Sequence, residues 1–135
     1  MKILIVEDSL KLISTYSDTI EHILKYRLKK LDKIEIFGVV SYSEYCYFDD
    51  YNFDLVILDW NIIGGTSKEI VKDVYKKTKH SVFITGYTLN VELNDFSNKY
   101  NIPIISKPTC DLEIQEILED VLKKIYNKEL VMEKV

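Results

Sequence analysis

The stretch "DLVILDWNIIGG", Asp54 to Gly65, carries four apolar residues, Leu55 to Leu58, that end abruptly in Asp59 with glycines close behind. An apolar run of that length reads as a strand buried on both faces, as in a parallel sheet covered by helices. Such sheets hold their ligands beyond the carboxyl ends of the strands, where Asp59 would stand. A strand-end aspartate can equally cap a turn. The meaning of Asp59 therefore depends on what else reaches the same edge.

Similar runs recur at fairly even intervals: "ILIV" (3–6), "IEIFGVV" (34–40), "SVFIT" (81–85) and "IPIIS" (102–106). Each has strand length and is rich in Ile and Val. Helical patterns fill the intervals. Residues 111–126 set Ile114, Ile117, Leu118, Val121, Leu122 and Ile125 on one face at helical spacing, with Asp111 as candidate N-cap after Pro108 and Thr109. Residues 10–31 align Leu10, Ile13, Ile20, Leu24, Leu28 and Leu31 on one stripe. Shorter patterns cover 43–50 and 67–78, the latter through Ile70, Val71, Val74 and Tyr75. The stretch 90–100 is the least amphipathic, polar apart from Val91, Leu93, Phe96 and Tyr100. The tyrosine-rich "SYSEYCYFDDYNF" (41–53) reads as the second helix packing its aromatics on the sheet. Five alternations of strand and helix predict parallel strands joined by right-handed crossovers, with helices on both faces. The fold class is α/β, a three-layer doubly wound sandwich.

Bulk properties narrow the function. A chain of 135 residues with 47% hydrophobic side chains fits one domain with a real core. Its 18 basic and 22 acidic side chains leave a net charge of −4, which argues against a nucleic-acid grip. The lysine pairs 29–30, 76–77 and 123–124 have carboxylates nearby and read as solvated helix faces. Cys46 and Cys110 lack a C-x-x-C or His-rich partner motif, so a zinc site is not expected. Both are expected to be thiols in a reducing cytosol, buried or incidental, and His22 and His80 to lie at the surface. The N-terminal "MKILIVEDS" meets acids by residue 7, too early for a secretory signal. No run approaches the about 18 to 20 apolar residues of a membrane span. A soluble, cytoplasmic protein is expected.

The strand ends collect an unusual set. The first presents Glu7 and Asp8, the third Asp59, the fourth Thr85 and Gly86, and the fifth Lys107 before Pro108. Two like charges about 4 Å apart repel by roughly 1 kcal/mol in water and about 4 kcal/mol at an effective dielectric of 20. Three crowded carboxylates would raise one another's pKa unless a cation neutralised them. An all-oxygen cluster of that kind suits Mg²⁺, and a lysine beside it is a point charge of the sort that binds phosphate. Taken singly, Glu7-Asp8 could be an acidic first helical turn, Thr85 a plain strand residue and Lys107 a solvated lysine. Together they suit phosphoryl chemistry on an aspartate.

These residues, "VEDS" (6–9), Asp59, Thr85 and "KP" (107–108), each at a strand end and in this order, resemble the receiver domain of two-component response regulators over about Lys2 to Tyr126. The tripeptide "DWN" (59–61) is particularly similar to that of chemotaxis response regulators. The resemblance implies a flavodoxin-like fold, a five-stranded parallel sheet in the order 2-1-3-4-5 with five helices. It implies a receiver domain over residues 1–127 and a C-terminal tail over 128–135. Asp59 would accept a phosphoryl group from a phosphohistidine. Asp8 would bind Mg²⁺ directly, Glu7 through water, and Asn61 through its backbone carbonyl. Thr85 would hydrogen-bond the phosphoryl oxygen, Lys107 would pair with it, and the Lys107–Pro108 bond would be cis. The protein would be a signalling protein rather than an enzyme, one that assists its own phosphorylation and dephosphorylation. Its partners would be a sensor histidine kinase or histidine phosphotransfer protein and a downstream effector, with neither nucleic acid nor membrane contacted directly. Homodimerisation through the fourth helix, fifth strand and fifth helix is a further implied outcome.

Two departures stand out. The loop after Asp59 reads "WNIIGGTSKE" (60–69), with Ile63 where the family has proline and Thr66-Ser67 in place of Asp/Ser-Gly, which predicts a more mobile loop. The switch aromatic on the fifth strand is Ile104, so the usual aromatic swing coupled to Thr85 is absent. Tyr87, at a position that with Asn61 tunes phosphate lifetime in the family, is expected to slow water attack, and faster dephosphorylation of Tyr87→Ala would report it. The lost aromatic and altered loop leave an alternative: a pseudo-receiver interaction module that does not turn over phosphate. A flavodoxin-like nucleotide binder fits poorly, since the acids of "VEDSLK" would repel an anion. A haloacid-dehalogenase-type hydrolase fits poorly too, because its second Asp is Asn61 here.

Overall fold

The computed structural model describes residues 1–30, 33–48 and 52–133, with side chains through residue 127. Leu31, the 49–50 end of the expected second helix, the tyrosine at 51, and the side chains of the expected tail therefore lie outside the described residues.

Five strands, β1 (Lys2–Val6), β2 (Glu35–Val39), β3 (Leu55–Leu58), β6 (His80–Thr85) and β7 (Ile104–Ser106), form one sheet in the order β2-β1-β3-β6-β7. Every pairing in it is parallel. Setting aside the short hairpin β4 (Asn61–Ile62) and β5 (Gly65–Thr66), this is the expected 2-1-3-4-5 order. Five α-helices join the strands: α1 (Leu10–His22), α2 (Tyr42–Tyr45), α3 (Lys68–Lys77), α4 (Val91–Tyr100) and α5 (Asp111–Glu133). α1 continues as a π-helical turn over Ile23–Arg27, and α2 as a 3₁₀ turn over Cys46–Phe48.

The chain divides into two compact units, Met1–Ile13 with Lys33–Lys107 and Ser14–Asp32 with Pro108–Val135. The first unit contains the sheet. All four residues of β3 are buried, as its unbroken apolar run predicts. Leu4, Val6, Val56, Leu58 and Phe83 pack in one cluster with Tyr45 of α2, Ile70, Val71 and Val74 of α3, and Leu93 of α4. Their alternates Ile3, Ile5, Ile57 and Ile84 are equally buried, so both faces exclude water. Each such side chain contributes about 1.5–3 kcal/mol relative to an exposed one.

In the second unit, Tyr16, Ile20, Ile23 and Leu24 are buried, as are Ile114, Leu118, Leu122 and Ile125. Arg27 forks onto Glu119, which also receives Lys123 at 3.5 Å. Asp111 is the first helical residue of α5 rather than its cap, because the Ile114 amide already donates to the Cys110 carbonyl.

Several expectations are corrected. Leu10 and Tyr75 are exposed although the helical stripes include them. Both cysteines are exposed, not buried. His22 is exposed, while His80 opens β6 half-buried. Of the tyrosine-rich segment, Tyr45 and Phe53 enter the core, but Tyr42 and Tyr47 face solvent. Among the described residues every peptide bond is trans, that of Lys107–Pro108 included. Trans is the favoured X-Pro isomer by about 0.5–1 kcal/mol, and Lys107 reaches its partners without the other. Among the described residues no helix is long and apolar enough to cross a membrane.

Candidate functional site

The carboxyl edge of the sheet holds the polar set in fixed backbone. The Glu7 amide donates to Val39 O at 3.0 Å, the Asp59 amide to Val6 O at 2.8 Å and the Lys107 amide to Thr85 O at 2.9 Å. Each residue is thus the last one tied to its neighbouring strand, and its side chain leaves the sheet where the ladder ends.

There Lys107 Nζ lies 2.8 Å from Asp59 Oδ2 and 3.1 Å from both carboxylate oxygens of Glu7. Asp59 is 4% exposed and Glu7 1%. Carboxylate oxygens of Glu7, Asp8 and Asp59 all lie within 4.8 Å of one another. One cation thus pairs with two buried carboxylates, with the exposed Asp8 beside them. The Ser9 amide adds a bond to Glu7 Oε1 at 3.2 Å, and the Trp60 amide one to Asp59 Oδ1 at 2.7 Å.

The electrostatics follow from burial. Desolvation, a hydrogen bond with Asp8 and the charge of Asp59 push the Glu7 carboxyl up to about 8, against the opposing pull of Lys107. Burial alone would lower the Lys107 ammonium, but Asp59 first and Glu7 second hold it above the ordinary lysine value. The cluster therefore keeps a proton that a divalent cation would displace. Three hard oxygen donors beside a half-open face fit Mg²⁺, which keeps several waters of its own.

The structure brings Glu7, Asp8, Asp59 and Lys107 together. Thr85, fully buried at the end of β6, accepts the Tyr87 amide at 3.2 Å, which leaves its hydroxyl proton to be donated. Asn61 opens the hairpin. The Ser67 amide bonds Trp60 O at 2.8 Å, so Asn61 and Thr66 form the pair whose own backbone groups the ladder does not use. The Asn61 carbonyl is therefore unspent by the hairpin.

The loop expected to be more mobile is this hairpin. Gly64, at φ +90°, and Gly65, at φ +153°, take conformations that side chains rarely adopt, and Ile63 bonds Val40 O at 2.9 Å. Sequence reasoning missed the backbone donors of Ser9 and Trp60. Ser9 had a readable signal, a serine directly before a helical stripe, and its Oγ caps α1 by accepting the Leu12 amide at 3.2 Å.

No protein-family model matches the chain, and no curated protein matches it. Solved structures do. A CheY-like response regulator receiver domain protein from Methanospirillum hungatei superposes with a TM-score of 0.68 at 18% identity, over 94% of this chain and 97% of that one. The phosphorylated cyanobacterial phytochrome response regulator RcpA gives 0.69 at 17% identity, over 89% of each chain. The Vibrio cholerae chemotaxis protein CheY4 gives 0.66 at 21% identity, over 89% of this chain and 97% of that one. The chain has the fold of response regulator receiver domains.

Proposed function

We propose that the protein is a phosphoacceptor signalling module of a two-component phosphorelay. The observation that carries this reading is the Lys107 ammonium bridging Asp59 and Glu7 beside Asp8, at the strand ends of a receiver fold. An Asp59 oxygen attacks the phosphorus of a partner's phosphohistidine. The O–P bond forms, the N–P bond breaks, and the imidazole leaves with the bonding pair. Lys107 neutralises charge on the transferred group and Thr85 donates to one of its oxygens, which are the positioning and electrostatic roles this chemistry needs. Glu7, Asp8, Asp59 and the Asn61 carbonyl would hold Mg²⁺, which when bound supplies further charge neutralisation. The module spans residues 1–127. It acts by presenting a changed surface to an effector rather than by turning over a substrate, and works in the cytoplasm.

The test is incubation with acetyl phosphate and Mg²⁺ followed by intact mass. The parent is expected to gain one phosphoryl group and Asp59→Asn none. A parent without the gain contradicts the reading.

Ile104, half-buried on β7 at the position without a switch aromatic, favours a second reading, a pseudo-receiver that keeps the fold for its surface. It predicts partner binding indifferent to Asp59→Asn.

A further inference from the structure

We infer that Asp59 is coupled to α4 by a column of aromatic rings, Trp60, Phe96, Tyr100 and Tyr75, which does the work the absent strand aromatic would do. This inference rests on the phosphoacceptor reading and adds the route by which that site is read out.

The column begins at the acceptor itself. Both Asp59 oxygens are engaged, Oδ2 by Lys107 at 2.8 Å and Oδ1 by the Trp60 backbone amide at 2.7 Å. A phosphoryl group on either oxygen brings charge of about −1.5 to −2 and new acceptor oxygens. Lys107 has a flexible stem and can follow it. The Trp60 amide cannot adjust without moving the peptide that carries the indole.

That indole is 2% exposed and sits in close-packed interior, so a moved ring displaces its neighbours rather than filling a void. Two rings flank it at the edge: Phe83 at 6.1 Å and Phe96 at 5.6 Å. Phe83 is fully buried in β6, paired with β3 and bonded through its amide to Pro103 O at 2.9 Å. Phe96 belongs to α4, whose only fully buried side chain is Leu93. The sheet residue is held, so the helix yields. α4 carries its own caps, Asn90 Oδ1 on the Leu93 amide at 2.9 Å and the Asn101 amide on Ser97 O in a left-handed turn, and so moves as a unit.

From Phe96 the contacts continue to Tyr100 at 5.5 Å and from there to Tyr75 of α3 at 4.9 Å. Tyr75 is 55% exposed. The column thus runs from the carboxyl edge of the sheet to a cleft of about 270 Å³ at the opposite edge, lined by Tyr75, Thr78, Lys79 and Tyr100 among others.

The test compares hydrogen exchange of the α4 amides, residues 91–100, with and without acetyl phosphate and Mg²⁺, with intact mass recording acceptor occupancy. Phe96→Met puts a flexible apolar chain of somewhat smaller volume in place of the ring and loses the ring edge. Tyr100→Leu breaks the next contact, and Val91→Ala, exposed on the same helix, is the control. The parent and Val91→Ala are expected to change α4 exchange several-fold on phosphorylation. Phe96→Met is expected to gain the same mass with no such change, and Tyr100→Leu to gain it with α4 changed as in the parent, since α4 moves as a unit and the broken contact lies beyond Phe96. A phosphorylated Phe96→Met that responds like the parent, or a phosphorylated parent with unchanged α4, overturns the coupling alone. No mass gain in the parent overturns the phosphoacceptor reading and the coupling with it.

Discussion

Burial and the neighbouring carboxylates raise the Glu7 carboxyl from 4.5 to about 8, so between those values the folded chain binds a proton that the unfolded chain has released. The stability this proton gives is complete below the unfolded value and is lost as pH rises through about 8. In metal-free protein the thermal midpoint should therefore fall between pH 6 and pH 9, and Glu7→Gln should flatten that fall. Mg²⁺ held by the proposed site would displace the same proton, so its affinity should climb by up to about tenfold per pH unit below 8 and then level off. Calorimetry in two buffers of unlike ionisation enthalpy would count the proton released. Lys107 is the counterpart. Its removal in Lys107→Ala leaves Asp59 and Glu7 buried without a cation, and should cost about 3 kcal/mol in urea unfolding, the low end for a broken buried pair because Glu7 can stay protonated. These acids and this lysine were legible in the sequence because each is a charged residue following an apolar run. The amides of Ser9 and Trp60, which complete the site, were not, since a backbone donor has no letter of its own.

At the scale of elements, what positions the site is tight backbone contact. A Cβ on Gly38 of β2 would overlap Ile13 Cγ2 on the first turn of α1, an atom next to the main chain that cannot swing away. Gly38→Ala should therefore cost about 1–3 kcal/mol, as overpacking does, and Ile13→Ala in the same chain should recover part of it, a coupling that a double-mutant cycle in urea would measure. The strand assignments were readable because Ile- and Val-rich runs of four to seven residues leave little choice, and β3 matches its run residue for residue. α4 was the hardest element to read and is well formed, because a narrow stripe of Leu93, Phe96 and Tyr100 on the core is supplemented by caps at Asn90 and Asn101. The β4–β5 pairing in the loop after Asp59 was not read, because it rests on glycine backbone angles and a bond to Val40 O, neither of which periodicity reports.

Over the whole molecule, alternation of strand and helix gave the parallel sheet, and the resemblance gave its strand order. Exposure was less legible. Leu10 and Tyr75 share stripes with buried residues but stand near helix ends, where the spacing that defines a face no longer says what covers it. Of the two readings left open for the cysteines, buried or incidental, burial fails because a small apolar type suggests it while position decides it. The charge that matters is concentrated rather than spread, since a net of −4 over 135 residues is unremarkable while three carboxylates meet at one edge. If that edge is a phosphoacceptor, the fold exists to hold Asp59 against Lys107. The most direct measurement is the position of the added phosphoryl group. After reaction with acetyl phosphate and Mg²⁺, borohydride reduces an aspartyl phosphate to homoserine, which peptide mass spectrometry can locate. The account predicts homoserine at position 59 and nowhere else. Unmodified Asp59, with the label absent or on another residue, would contradict it.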